Sequence, residues 1–110
     1  MTIASQHTRI CLDTWIQCEE LLVNIANLKN SISKKFFKVV DECALICMGT
    51  FHAIKTSSQN MQRMALLCVG ICEECAALCE THQDEQFRMC AAACRQCSET
   101  MTQIAFTDMQ

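Results

Sequence analysis

The sequence predicts an all-α protein, an antiparallel up-down-up-down four-helix bundle, and three observations carry that expectation. With no proline and only two glycines in 110 residues, nothing forbids long unbroken helices. Apolar residues recur at spacings of three and four rather than two, the period of a helix and not of a strand. Polar clusters interrupt this pattern at three places, which divides the chain into four segments of similar length joined by short turns.

The first helix is predicted over about residues 3–28. It gives way at Asn27-Leu28-Lys29-Asn30-Ser31-Ile32-Ser33, where Asn and Ser side chains compete with the helical backbone and can cap a new start. The second runs over about 33–55 and stops at Thr56-Ser57-Ser58-Gln59-Asn60, and the third covers about 59–80. After Thr81-His82-Gln83-Asp84 the fourth spans about 84–107, with Asp84 and Glu85 placed against the positive end of its dipole. Residues 1–110 read as one domain, long enough for a single core but not for two.

Composition narrows the function. Half of the residues are hydrophobic, yet no apolar run approaches the ~18 residues of a membrane span, so no membrane role is expected. The net charge of -3 is mild and the nine Lys and Arg residues form no stripe, their longest cluster being Lys34-Lys35 with Lys38. No nucleic-acid partner is expected from such a pattern. The start Met1-Thr2-Ile3-Ala4-Ser5-Gln6-His7 lacks the basic and apolar regions of a secretory signal, which predicts a cytoplasmic protein.

Eleven cysteines are the outstanding feature. At about 100° per residue, steps of four, three and seven return to one helix face. Cys11 and Cys18 share a face of the first helix, and Cys43 and Cys47 share one on the second. Cys68, Cys72, Cys75 and Cys79 line the third, and Cys90, Cys94 and Cys97 line the fourth with the same four-three spacing. Antiparallel packing brings all eleven sulfurs into one inward band of roughly 20 Å. The same faces carry Leu22, Ile25, Ile54, Ile71, Leu78 and Ile104, which are expected to point inward, while Trp15 and Leu22 take stripe positions on the first helix. One or two such cysteines would read as small core residues. Eleven on four inward stripes do not.

Disulfides fit this pattern badly. The count is odd, and Cβ atoms four residues apart on a helix lie about 5–6 Å apart, where a disulfide wants about 3.8 Å. A soft metal fits better, since thiolate selects copper(I), zinc and iron–sulfur clusters. Iron–sulfur ligation draws on tighter loop spacings. Zinc could use the two C-x-x-C pairs, Cys72/Cys75 and Cys94/Cys97, but would leave seven thiols unexplained. Copper(I) accepts two thiolates across a sulfur–sulfur span of roughly 4.5 Å, taking Cu–S close to the ~2.3 Å of Zn–S. Pairs four apart, namely Cys43/Cys47, Cys68/Cys72, Cys75/Cys79 and Cys90/Cys94, can reach that span. If each thiolate bridges two ions, capacity approaches one copper per cysteine, which is the stoichiometry of a store.

The stretches Cys68-Val-Gly-Ile-Cys72-Glu-Glu-Cys75-Ala-Ala-Leu-Cys79 and Cys90-Ala-Ala-Ala-Cys94-Arg-Gln-Cys97 resemble the four-helix-bundle copper storage proteins. The resemblance is strong over residues 61–101 and looser before them, where the first two helices carry only two cysteines each. It implies a bundle that binds many copper(I) ions inside, a homotetramer, and, with no leader, the cytosolic form of the family. Storage also calls for a delivery partner, a copper chaperone.

Extending the stripes toward the N-terminal end gives His7, Met61, Met64 and Met101, expected to meet at one mouth as weaker copper(I) ligands. His82 falls in a turn and His52 off the stripe. No catalytic residue is expected, because no oxyanion site or acid partner accompanies a Cys with either histidine. The alternatives are a zinc-binding bundle and a thiol-redox protein. The latter needs an accessible low-pKa thiolate near a base, and Arg95 alone sits within a cysteine cluster of the sequence.

Overall fold

A computed structural model of the chain describes residues 3–28 and 31–107, with side chains from Ser5 onward. Four helices account for most of it: α1 (Ile3–Ile25), α2 (Lys34–Lys55), α3 (Met61–Cys79) and α4 (Glu85–Ala105), with a short 3-10 turn at Ala26–Leu28. No strand occurs among the described residues. Lys29 and Asn30, inside the first predicted break, lie outside the described residues, as do both chain ends.

Local chemistry explains the ends. Ser33 caps α2, its Oγ accepting the Phe36 amide hydrogen at 3.1 Å, a bond that satisfies one of the orphan donors of the first turn. At the other end of α2, Ser57 adopts a left-handed φ of 51°, and the next amide, Ser58, closes onto the Ala53 carbonyl at 2.8 Å. This six-residue closure normally favours glycine. Asp84 precedes α4 in extended conformation, and its carbonyl receives the amides of Phe87 and Arg88 at 3.1 Å.

Each helix packs on two neighbours. α1 lies between α2 and α4, α3 lies between the same two, and the backbones of the diagonal pairs stay apart, so that diagonal helices meet only through inward side chains such as Cys43 and Cys94. Short turns make sequential neighbours antiparallel, and the resulting rod measures 49 × 24 × 20 Å.

The interior is laid out on a strict three-four repeat. Buried positions run His7, Cys11, Thr14, Cys18, Leu21, Ile25 on α1 and Phe36, Val40, Cys43, Cys47, Thr50, Ile54 on α2. They continue as Ala65, Cys68, Cys72, Cys75, Cys79 on α3 and Phe87, Cys90, Cys94, Cys97, Met101 on α4. A period of 3.5 residues keeps such a line facing its partners along the whole bundle. Here the α1 expectation needs correction. Thr14 and Leu21, not Trp15 and Leu22, occupy the inner line, and Trp15 and Leu22 are only half-buried beside it. Positions 14 and 15 lie almost symmetrically about the Cys11–Cys18 line, so the packing of α1 between its neighbours decides which turns in. Trp15 instead donates its indole hydrogen to Glu19 and tilts against Phe51. Of the other residues expected inside, Ile25, Ile54 and Ile71 are buried, whereas Leu78 and Ile104 pack half-buried against the core.

The two ends of the rod differ. The end holding the α2 and α4 N-termini is closed by apolar packing of Leu21, Ile25, Ile32, Phe36 and Phe87. The Phe36 and Phe87 rings meet edge to face at 5.7 Å, and His82 stacks on Phe87 at 4.3 Å. On the outer seam between α3 and α4, Arg95 pairs with Glu73 and Glu80 at 2.8 Å. Arg95 therefore faces outward, away from the thiols, correcting its apparent membership of a cysteine cluster.

Candidate metal centre

All eleven cysteines are free thiols with no exposed surface. Their sulfurs fall into three groups whose members lie within 4.8 Å of one another: Cys47/Cys68/Cys72/Cys97, Cys18/Cys43/Cys75/Cys94 and Cys75/Cys79/Cys90. The groups are joined. Cys43 lies 3.8 Å from both Cys72 and Cys94, bridging the two tetrads, and Cys75 belongs to the second tetrad and to the triad. Cys18 approaches Cys90 at 3.9 Å. Cys11 sits outside the three groups, with its thiol donating to the Met101 thioether at 3.6 Å. A sulfur path thus runs along the bundle axis, and two cysteines each on α1 and α2 are enough to keep it continuous.

The pairing across helices corrects the zinc site drawn from the C-x-x-C spacings. Cys72 and Cys97 enter one tetrad while Cys75 and Cys94 enter the other. Residues three apart on a helix differ in height by about 4.5 Å, so each C-x-x-C feeds two successive levels rather than one site.

Electrostatics follows from this crowding. The facing Cys11 thiol, then those of Cys47 and Cys72, favour ionised Cys68 and hold it at about 6. Cys11 is pushed up by its contacts with Cys68 and Cys97 and then by burial. Cys18 is pushed up by Cys43 first, with Cys75, Cys90, Cys94 and burial adding to it. Burial away from water penalises a thiolate unless a partner compensates it. Where a thiol of the lining keeps its proton, a thiophilic cation must displace it to bind.

The four residues expected at a mouth part company. His7 is 2 % exposed, and its Nε2 lies 3.2 Å from Gln103 Oε1. Met101 is fully buried against Cys11. Both border the start of the sulfur path, and His7 and Gln103 line an open cleft of about 800 Å³ with Arg9, Phe51, Lys55 and Thr100. Met64 fills a gap on the α2–α3 seam, where its methyl lies 2.8 Å from the place a Cβ on Gly49 would take. Met61 is half-buried against the core. Met101 thus touches a cysteine sulfur directly, and His7 lies buried one helical turn before Cys11 on α1.

Three residues at the site were not singled out in the sequence. Gln103 orients His7 across 96 residues of chain, which no local signal announces. Thr14 and Thr50 take inner positions at the level of the thiols, and their hydroxyls lie 2.8 and 2.7 Å from the carbonyls of Ile10 and Ile46. Their heptad spacing from Cys11, Cys18 and Cys47 was the signal for both.

A family model described as copper storage protein matches residues 2–106. A solved structure of a Cu(I)-bound copper storage protein, BsCsp3, is similar with a TM-score of 0.86 and 27% identity, over 94% of this chain and 99% of that one. No curated protein matches. The family match spans all four helices and every cysteine of the sulfur path, and on that basis the chain belongs to the copper storage protein family.

Proposed function

We propose that this chain stores copper(I) as cargo along its core, and the continuous path of ten grouped thiols, with buried Cys11 beside it, carries the reading. Soft thiolates suit copper(I), and the Cu(I)-bound relative supports the same cargo here. Each arriving ion displaces thiol protons and is held by sulfurs from facing helices, with each sulfur shared between successive ions. Small rotamer changes suffice to open contacts of 3.7–3.9 Å toward the roughly 4.5 Å of a two-coordinate copper, taking Cu–S near ~2.3 Å. A store needs no reaction, so the chain is read as a non-enzyme. A redox sensor is disfavoured because it requires an exposed thiolate, and none of the eleven has exposed surface.

All eleven cysteines act as copper ligands in this account, within a single functional unit of 110 residues. Copper enters at the end where His7 and Met101 lie, since the opposite end is closed by Phe36 and Phe87. Met61 and Met64 flank that entrance. Family membership supports a homotetramer working in the cytoplasm and fed by a copper chaperone. Half-exposed Leu45, Leu66 and Leu67 offer apolar surface for self-association. No helix is long and apolar enough to cross a membrane among the described residues.

Anaerobic thiol counting tests the assignment. Copper loading is expected to protect most of the eleven thiols together from an alkylating reagent. One or two hyper-reactive thiols, with the rest indifferent to copper, would sink storage in favour of redox chemistry. The entrance has its own test in stopped-flow uptake. His7→Ala combined with Met101→Leu is expected to slow loading roughly three- to tenfold, about 1 kcal/mol of barrier, while the final copper content stays within one ion of the parent. Unchanged uptake rates would move the entrance elsewhere.

A further inference from the structure

We propose that Cys47, Cys68, Cys72 and Cys97 form a preorganised tetrathiolate site for one zinc(II) ion, occupied when copper is scarce. The proposal uses the same thiol lining as the copper reading but asks a different question of its geometry. A tetrahedral zinc with Zn–S near 2.3 Å needs sulfur–sulfur edges of about 3.8 Å. Four of the six edges in this tetrad measure 3.8 Å (Cys47–Cys68), 3.8 Å (Cys47–Cys72), 3.9 Å (Cys68–Cys72) and 3.7 Å (Cys68–Cys97). The remaining two fall within 4.8 Å. The four measured edges match those of a zinc tetrahedron and are shorter than the roughly 4.5 Å span of linear copper(I) ligation. Its ligands come from α2, α3 and α4, and all are sealed from solvent. A closed four-sulfur cage with no open position is the structural rather than the catalytic kind of zinc site.

Charge limits occupancy to one ion. Four thiolates around one zinc(II) leave the filled site with a net charge of -2. The second tetrad touches the first through Cys43 and Cys72 at 3.8 Å. A second dianionic centre in direct sulfur contact with the first, in a dry core, is opposed by repulsion and desolvation together. Copper(I), softer than zinc(II), prefers the same thiolates and displaces the zinc as loading proceeds.

Anaerobic titration of the reduced full-length protein with zinc(II), against a chromophoric zinc chelator, tests this. One zinc per chain is expected to be retained. Cobalt(II) in its place should give the intense visible absorption of a tetrahedral tetrathiolate. Cys68→Ser and Cys97→Ser, each checked for retained helicity by circular dichroism, should lose the ion, whereas Cys79→Ser, in the far triad, should keep it. Absence of zinc retention, or retention undiminished in both Cys68→Ser and Cys97→Ser, would overturn the proposal. A parallel copper(I) titration separates the two readings: many coppers with no zinc defeats this site alone, and zinc without copper defeats storage alone.

Discussion

Replacing Cys43 and Cys72 together by serine is expected to lower the copper capacity by about three ions although only two thiols are lost, because thiolates shared between soft cations each serve two of them. The two sulfurs touch each other at 3.8 Å, Cys43 also touches Cys94, and Cys72 also touches Cys47 and Cys68. Removing both deletes the ion they share and one further ion beside each. The same pair is the contact that joins the tetrads, so loss of both should leave two separate loading phases where the parent shows one. Metal content after anaerobic loading and gel filtration reads the capacity, and a titration curve reads the phases. A loss of two ions or fewer, in one phase, would mean that the thiols bind independently and the bridged path is wrong.

Phe87→Ala should destabilise the metal-free protein by about 3–5 kcal/mol, the usual cost of emptying a buried aromatic site. Phe87 is 2 % exposed and holds the closed end through Phe36 and His82. Against a typical stability of about 5–15 kcal/mol, such a loss brings the reduced apo chain near its unfolding threshold. Copper bound only to the folded state adds stability by mass action, so the loaded variant should recover most of its resistance to urea. Phe106, 67 % exposed at the end of α4, is the control, and its replacement by alanine should change stability by less than about 0.5 kcal/mol. Equal effects at the two positions would mean that the closed end is not packed as described.

The contrast between Phe87 and Phe106 also marks what the sequence makes legible. Helical periodicity, the absence of proline and the Asn/Ser clusters specify four antiparallel helices, because these signals are local and act through backbone preference. The inward turn of the cysteines is legible for the same reason. Which neighbour completes each inner line is not. Thr14 and Trp15 lie almost equally far from the Cys11–Cys18 line, and only contact with Ala93 across the α1–α4 seam picks Thr14. The division of the sulfurs into tetrads is likewise invisible locally. Cys72 and Cys75 are adjacent in motif but separated by one level of the bundle, while Cys47 and Cys97, fifty residues apart, share a level. His7 reads as a residue of an unconstrained terminus until Gln103, at the far end of the chain, buries it.

Whether the eleven buried thiols act together as a store is decided by an anaerobic titration of the reduced protein with copper(I) against a competing chelator. Stoichiometric uptake of many ions, approaching the count of eleven cysteines, is expected before the chelator takes its share. Uptake of only one or two ions, or none ahead of the chelator, would contradict storage.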